Sequence, residues 1–329
     1  RYVGPLPVPL AAYVAAMNAL TAARGYLDRD RLKSGFGHLI IRDEVLEKVG
    51  PAVNAGKAVF LYGPPGNGKT VIAEGMGRTL GGDMYLPHAL DIDGHTITMF
   101  DPIAHESLEE DGGASSLVVA TTQRDRRWVR IRRPVVMVGG ELTLDMLDLT
   151  FNTISKFYEA PIHLKANGGV FLVDDFGRQR MRPEDLLNVP FDVLTVFATN
   201  LNPESLADEA FLRRIPYKIP IEDPSVEEFS RIFEMNCRKR RLRFHQVMVA
   251  YLLRRHYQPF DRAMRACHPR DLLDQVTALC RYRGIEPVIT RDLLDAACAS
   301  YFIDSMGTAA AASALQARRP APAARAEVH

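Results

Sequence analysis

The sequence predicts an α/β fold, a parallel sheet flanked by helices, followed by a smaller all-helical domain. Between residues 40 and 220, short apolar runs of strand character alternate with helical patterns, as expected of a sheet built from strand–helix units. A glycine-rich turn at residues 63–70 lies between a buried-strand pattern and a helical one. After Pro224 the strand-like runs give way to four helical stretches.

Residues 1–9 carry three prolines and read as an extended lead-in; residues 9–24 are alanine-rich and predict a helix; residues 25–37 read as a glycine- and charge-rich connector. Strands are expected at residues 58–62, 118–122, 135–138, 170–173 and 193–198, and C-terminal helices at 226–240, 245–256, 269–282 and 290–302, the last capped by Thr290. Residues 307–329 are alanine- and proline-rich and predict a disordered tail. The expected organisation is an N-terminal extension (1–34), an α/β nucleotide-binding domain (35–222), a helical lid (223–305) and the tail (306–329). The interval between Asp174 and Asn200 is brief, and the helix begun at Pro183 is cut short. This predicts residues missing between Asn188 and Val189.

The 329 residues are 47% apolar and 25% charged, an ordinary globular balance. A net charge of +1 gives the whole chain no electrostatic drive toward nucleic acid or membrane. No apolar run approaches the roughly 20 residues of a membrane span, and residues 1–9 have no signal-peptide pattern. Cys237, Cys267, Cys280 and Cys298 are widely spaced, without CxxC pairs. A reduced cytoplasmic protein is the expectation.

Gly63, Pro64, Pro65, Gly66, Asn67, Gly68, Lys69 and Thr70 spell GxxxxGK[ST], with Val71 opening the helical stretch. The glycines let backbone N–H groups converge on a phosphate, and the helix adds its positive end. Lys69 is expected to neutralise β- and γ-phosphate charge, and Thr70 to ligate Mg²⁺. Asp174 and Asp175 follow the apolar run of residues 170–173. Asp174 is the expected magnesium acid and Asp175 the group that polarises the attacking water. ATP and Mg²⁺ are the expected cofactors.

On these motifs the chain resembles the AAA+ ATPases, P-loop NTPases with a helical lid, over about residues 35–300. The resemblance implies that Leu39 and Ile40, in Phe36-Gly37-His38-Leu39-Ile40, contact adenine. It implies that Asn200, ending Phe197-Ala198-Thr199-Asn200, positions the lytic water, and that Arg213 or Arg214 is an arginine finger completing a neighbour's site. Arg270, at the start of a lid helix, would reach the γ-phosphate. Taken alone, the arginines also fit a surface ion pair or a solvated helix start, and Asn200 a helix cap. Where the family has Asp-Glu, this chain has Asp174-Asp175; one methylene less draws the carboxylate back by about 1.5 Å. Slow hydrolysis is one expectation.

The long interval between Lys69 and Asp174, and the segment Glu159 to Gly169, are similar to the helix-2 insertion of MoxR-like members. Residues 135–141 occupy the place of a pore loop, or form a plain strand ending in a glycine turn. The basic stretch 123–133 fits either an acidic or nucleic-acid partner or a hairpin face neutralised by acids such as those at 109–111. The cluster at 238–243 fits a solvated helix end. Asp91 and Asp93 lack the further ligands of a calcium loop. The leading expectation is a ring-forming, ATP-dependent remodeller of an unidentified protein client, and the resemblance implies a ring of six. A nucleic-acid motor or loader and a slow-hydrolysing, nucleotide-gated assembly protein are the alternatives.

Overall fold

The computed structural model describes residues 2–108, 125–154, 156–179, 193–202 and 209–302. The chain divides into two compact units, Arg1–Asp223 and Pro224–His329. In chain order the strands are β1 (Val8–Pro9), β2 (Val59–Tyr62), β3 (Asp83–Pro87), β4 (Ala89–Ile92), β5 (His95–Thr98) and β6 (Trp128–Arg132). They continue as β7 (Val135–Val138), β8 (Thr150–Asn152), β9 (Phe157–Glu159), β10 (Val170–Val173), β11 (Leu194–Thr199) and β12 (Tyr217–Pro220).

The central sheet has the order β12-β2-β11-β10-β7, and every pairing in it is parallel. The inner strands β2, β10 and β11 read as continuous apolar runs because both of their faces are covered. Alternate side chains enter two separate cores. Val59, Leu61, Val170, Leu172, Val196 and Ala198 join Ile72, Ala73 and Met76 of the helix Lys69–Leu80 on one face. Phe60, Val136, Val138, Phe171, Val173 and Phe197 join Ile215 on the other. Because all five strands run the same way, the chain segments that follow β2, β10 and β11 leave the sheet at one edge. That edge is where open α/β sheets hold ligands.

Residues 29–36, expected within a connector, form a helix. The Asp28 carboxylate accepts from Arg31 N–H at 2.8 Å, capping its start, while Leu32 and Phe36 are buried against the first core. The helix Leu10–Ala22 agrees with expectation, and β1 ends the lead-in by pairing with β4.

The strands between the helix Lys69–Leu80 and β7, with β1, the helix Leu10–Ala22 and the later β8 and β9, build a second assembly. β3 pairs antiparallel with β6, and β4 and β5 form a hairpin in a sheet of order β1-β4-β5-β9-β8. Tyr13, Met17, Met84, Leu86, Leu90, Ile97, Val129 and Ile131 fill its core. Of residues 135–141, 135–138 are the edge strand of the central sheet, in register with β10, and Gly139 and Gly140 follow, as the strand-and-glycine-turn reading expects. After β7 come a 3₁₀ turn (Leu144–Leu147), the β8–β9 hairpin and a short helix (Ile162–Lys165). Four arginines of the basic stretch are engaged locally. Arg130 pairs with Asp83, Arg132 with Glu106 at 3.1 Å, and Arg127 with Asp125 at 2.7 Å. Arg133 donates to the carbonyls of Gly81 and Gly168 at 2.6 and 2.7 Å. The acids proposed for this at 109–111 lie outside the described residues. So do the strand expected at 118–122, the helix begun at Pro183, the junction of Asn188 and Val189, and the tail.

The second unit has helices Val226–Lys239, Gln246–Leu252, His268–Tyr282 and Arg291–Tyr301. Ser225 and Glu228 form a reciprocal capping box at the first, and Thr290 caps the last. The second expected helix ends at Leu252 and runs into a π-helical turn, Leu253–Tyr257. Phe229, Phe233, Leu252, Leu272, Val276 and Leu294 are among its buried core. Arg240 pairs with Asp274 at 2.7 Å and Arg238 with Glu234 at 2.5 Å. Among the described residues no helix is long and apolar enough to cross a membrane.

Two predictions follow from the packing of the first unit. Phe60 is fully buried, with its ring against Phe176 and Phe197. Phe60→Ala should cost about 3–5 kcal/mol of stability, read as a lower midpoint in urea denaturation followed by circular dichroism. His163 is buried, and burial pushes its imidazole down to about 4 from 6.5. Burial also lowers His105, against the hydrogen bond with the Lys165 carbonyl that raises it. Between the folded and unfolded values the unfolded chain binds more protons, so stability rises with pH there. The contribution is fully present above pH 6.5 and falls as the pH drops toward 4. Calorimetry across that range should show a falling Tm; a flat profile would count against it.

Candidate nucleotide site

The glycine turn joins β2 to the helix Lys69–Leu80, and its backbone requires glycine. At Gly63 φ is +135°, and a Cβ there would lie 2.2 Å from the Ile221 carbonyl oxygen. At Gly68 φ is +81°, left-handed backbone that other residues rarely adopt, with nothing within 4 Å of the added carbon. Asn67 is buried, and its amide donates to Asp223 at 2.7 Å, tying the loop to the segment after β12. Pro65 and Gly66 are exposed at the apex.

Lys69 is 6% exposed. Its ammonium donates to the carbonyls of Gly63 and Pro64 at 2.9 and 3.0 Å and to Asn200 Oδ1 at 2.6 Å. Thr70 Oγ1 donates to Asp174 Oδ2 at 2.7 Å. Asp175 N–H donates to Asp174 Oδ1 at 2.9 Å, and Asn200 Nδ2 donates to Asp175 Oδ1 at 3.1 Å. Lys69, Thr70, Asp174, Asp175 and Asn200, far apart in sequence, thus form one hydrogen-bonded cluster at the sheet edge.

The acidic turn is held from several directions. Asp174 N–H donates to Val138 O at 2.7 Å, and Phe176 N–H to Ala198 O at 2.8 Å. Thr199 Oγ1 donates to Phe176 O at 2.9 Å. The Phe176 ring is buried against Phe60 and Phe197. Asp175 has φ of +48°, in the left-handed region where aspartate is among the better-tolerated residues. Gln179, which the sequence reading passed over, places its amide nitrogen 3.0 Å from Asp174 O, 3.3 Å from Asp175 O and 3.4 Å from Gly139 O. Neither Gln179 nor Asp223 belongs to a motif with a sequence signature.

Leu39 packs against the core shared with Ile72 and Ala73, and its N–H donates to Phe36 O at 2.8 Å; Ile40 beside it and Val71 are half-buried. Arg213 and Arg214 end the helix Glu209–Arg214, both exposed, and Arg213 pairs with Glu209 at 2.6 Å. In the second unit, Arg270 lies in the first turn of His268–Tyr282, with Nε 2.7 Å from Asp271 Oδ1.

The residues present fit Mg·ATP. A loop whose glycines leave backbone N–H groups uncovered, beside a buried ammonium, suits a polyphosphate. The Thr70 hydroxyl and Asp174 carboxylate are hard oxygen donors. Mg²⁺ is usually held by one or two protein oxygens together with phosphates.

Residues 225–300 match a family model described as a domain of unknown function, DUF8689. No curated protein matches the chain. Among solved structures, the Thermotoga maritima RuvB Holliday junction branch migration motor is similar at 14% identity and a TM-score of 0.48, covering 81% of this chain and 72% of that one. NtrX from Brucella abortus in complex with ATP is similar at 14% identity and a TM-score of 0.48, covering 82% and 58% respectively. Likenesses this distant carry none of the functional reading; the α/β P-loop fold rests on the strand order and on the cluster at the sheet edge.

Proposed function

We propose that the chain is a Mg·ATP-dependent ATPase of the AAA+ type that forms a ring and remodels or assembles a protein partner, in the manner of MoxR-like members. The observation that carries the ATPase reading is the cluster joining Lys69 and Thr70 to Asp174, Asp175 and Asn200. Bound Mg·ATP supplies the scissile phosphoanhydride and the metal charge that offsets its oxygens. The protein's part is positioning and electrostatics, which dominate phosphoryl transfer. Lys69 presents three donors, with the loop N–H groups beside it. Thr70 and Asp174 hold the metal, and Asp175, oriented by Asn200, accepts hydrogen bonding from the attacking water. Leu39, Ile40 and Val71 bound the nucleoside. Arg270 reaches the γ-phosphate, and Arg213 or Arg214 completes a neighbouring copy's site, giving a head-to-tail assembly. Six copies, a cytoplasmic setting and a protein client belong to the same reading, as does slow turnover with Asp175 in place of glutamate.

A second reading, a nucleic-acid motor or loader, now finds its support in a different place. The arginines of β6 face carboxylates within the fold, and Arg133 after it faces two carbonyls. Residues 235–260 of the second unit carry seven arginines and lysines and no acid, although Arg238 and Arg240 among them pair with Glu234 and Asp274. Only stimulation of turnover by nucleic acid, lost steeply as salt rises, supports that reading over the first.

Lys69→Ala should abolish binding of a fluorescent ATP analogue, and Asp174→Ala should remove the Mg²⁺ dependence of hydrolysis. Turnover by wild-type protein that persists unchanged in Lys69→Ala would place the chemistry elsewhere. Sedimentation with and without Mg·ATP tests the ring, and a monomer under both conditions would rule it out.

A further inference from the structure

We propose that Gln179 is a positioning residue for Asp175: its amide holds the left-handed turn on which the short carboxylate reaches Asn200. The inference rests on the ATPase reading and deepens it, since it concerns how this site works without the longer glutamate side chain. In an extended strand, successive carbonyls point to opposite sides. At Asp175, φ of +48° departs from that geometry, and the carbonyls of Asp174 and Asp175 both come within reach of one Gln179 nitrogen, at 3.0 and 3.3 Å. Gln179 Oε1 accepts from Gly177 N–H at 2.8 Å, so both ends of the amide are engaged on the same turn. The third carbonyl, Gly139 O at 3.4 Å, ties the turn to the end of β7.

The opposite side of the turn is already fixed by Phe176, through its buried ring and the bond from its N–H to Ala198 O. Without Gln179, the carbonyls of Asp174 and Asp175 lose the side-chain donor that bridges them, and Asp175 relaxes toward ordinary backbone. An aspartate has no spare methylene to absorb the shift. The carboxylate then leaves Asn200, 3.1 Å away, while Lys69, Thr70 and Asp174 keep their places. The role therefore separates hydrolysis from nucleotide binding.

The test is a double-mutant cycle between Gln179→Met, which keeps length and removes the amide, and Asp175→Glu. Three quantities are read: affinity for a fluorescent ATP analogue with Mg²⁺, kcat, and amide hydrogen exchange at residues 174–178 without nucleotide. Gln179→Met should lower kcat by about 10–100-fold, the scale of an ångström-level misplacement, with affinity within about twofold and faster exchange at Gly177. Adding Asp175→Glu should recover at least about tenfold of that loss, because the longer side chain tolerates the relaxed turn. Gln179→Glu keeps the acceptor for Gly177 and removes the donor; it should reproduce the kcat loss and guards against misfolding of the methionine variant. Turnover within about twofold of wild type in both variants, equal losses with and without Asp175→Glu, or a parallel loss of affinity each overturn the proposal. A wild-type protein that neither binds nor hydrolyses ATP instead overturns the ATPase reading, and this proposal with it.

Discussion

The site depends on a single amide. Asn200 accepts from the Lys69 ammonium at 2.6 Å through its oxygen and donates to Asp175 at 3.1 Å through its nitrogen. That polarity is the one that satisfies both neighbours: an ammonium has donors and no acceptor, and an ionised carboxylate only accepts. An aspartate at position 200 would repel Asp175, and a leucine would leave the buried ammonium with one acceptor fewer. A lysine 6% exposed has little water to substitute for a lost partner. The bridge therefore links the phosphate loop to the acidic turn across β11, and it forms only if β11 lies between β2 and β10.

That strand order is secured by burial on two faces. Had β10 slipped one residue against β11, Val170 and Leu172 would exchange cores with Phe171 and Val173, and the side chains on both sides would no longer fit. The aromatic group Phe60, Phe176 and Phe197 reinforces the register on one face. Phe176 also belongs to the acidic turn, so packing and chemistry share a residue. The second β assembly has its own core and leaves this register alone. Arg133, donating to Gly81 and Gly168, connects the end of β6 with the end of the phosphate-loop helix and with the segment entering β10.

What could be read beforehand follows from the same physics. β2, β10 and β11 announce themselves as apolar runs because both of their faces are covered, β7 is an apolar run at the sheet edge with Met137 exposed, and the phosphate loop is legible because its backbone tolerates few residues. β12 and β3–β5 are short and alternate or mix polar residues, so periodicity over four or five positions does not separate them from loops. The helix Arg29–Phe36 was obscured by its charges and by Gly35; its two buried residues, Leu32 and Phe36, are spaced four apart, too few for a pattern. At residues 135–141 the sequence left two readings open, and the pairing of β7 with β10 selects the strand followed by two glycines. Asn200 was found through its place after a recognisable strand. Gln179 was not, since a side chain acting on backbone carbonyls leaves no spacing rule behind.

Charge shows the same limit from another direction. A net charge of +1 conceals a division: residues 1–223 carry 24 basic and 29 acidic side chains, and residues 224–302 carry 14 and 9. The basic stretch most conspicuous in sequence, ending at Arg133, is the one whose charges the fold answers with Asp83, Glu106 and Asp125. Exposed Lys239, Arg241, Arg243, Arg254 and Arg255 lie in the acid-free run of the second unit. A strand that alternates arginine with buried valine and isoleucine shows its charges on one face, where neighbouring strands can supply acids. Arg127, Arg130, Arg132 and Arg133 are therefore structural, and the excess of basic over acidic side chains lies in the second unit.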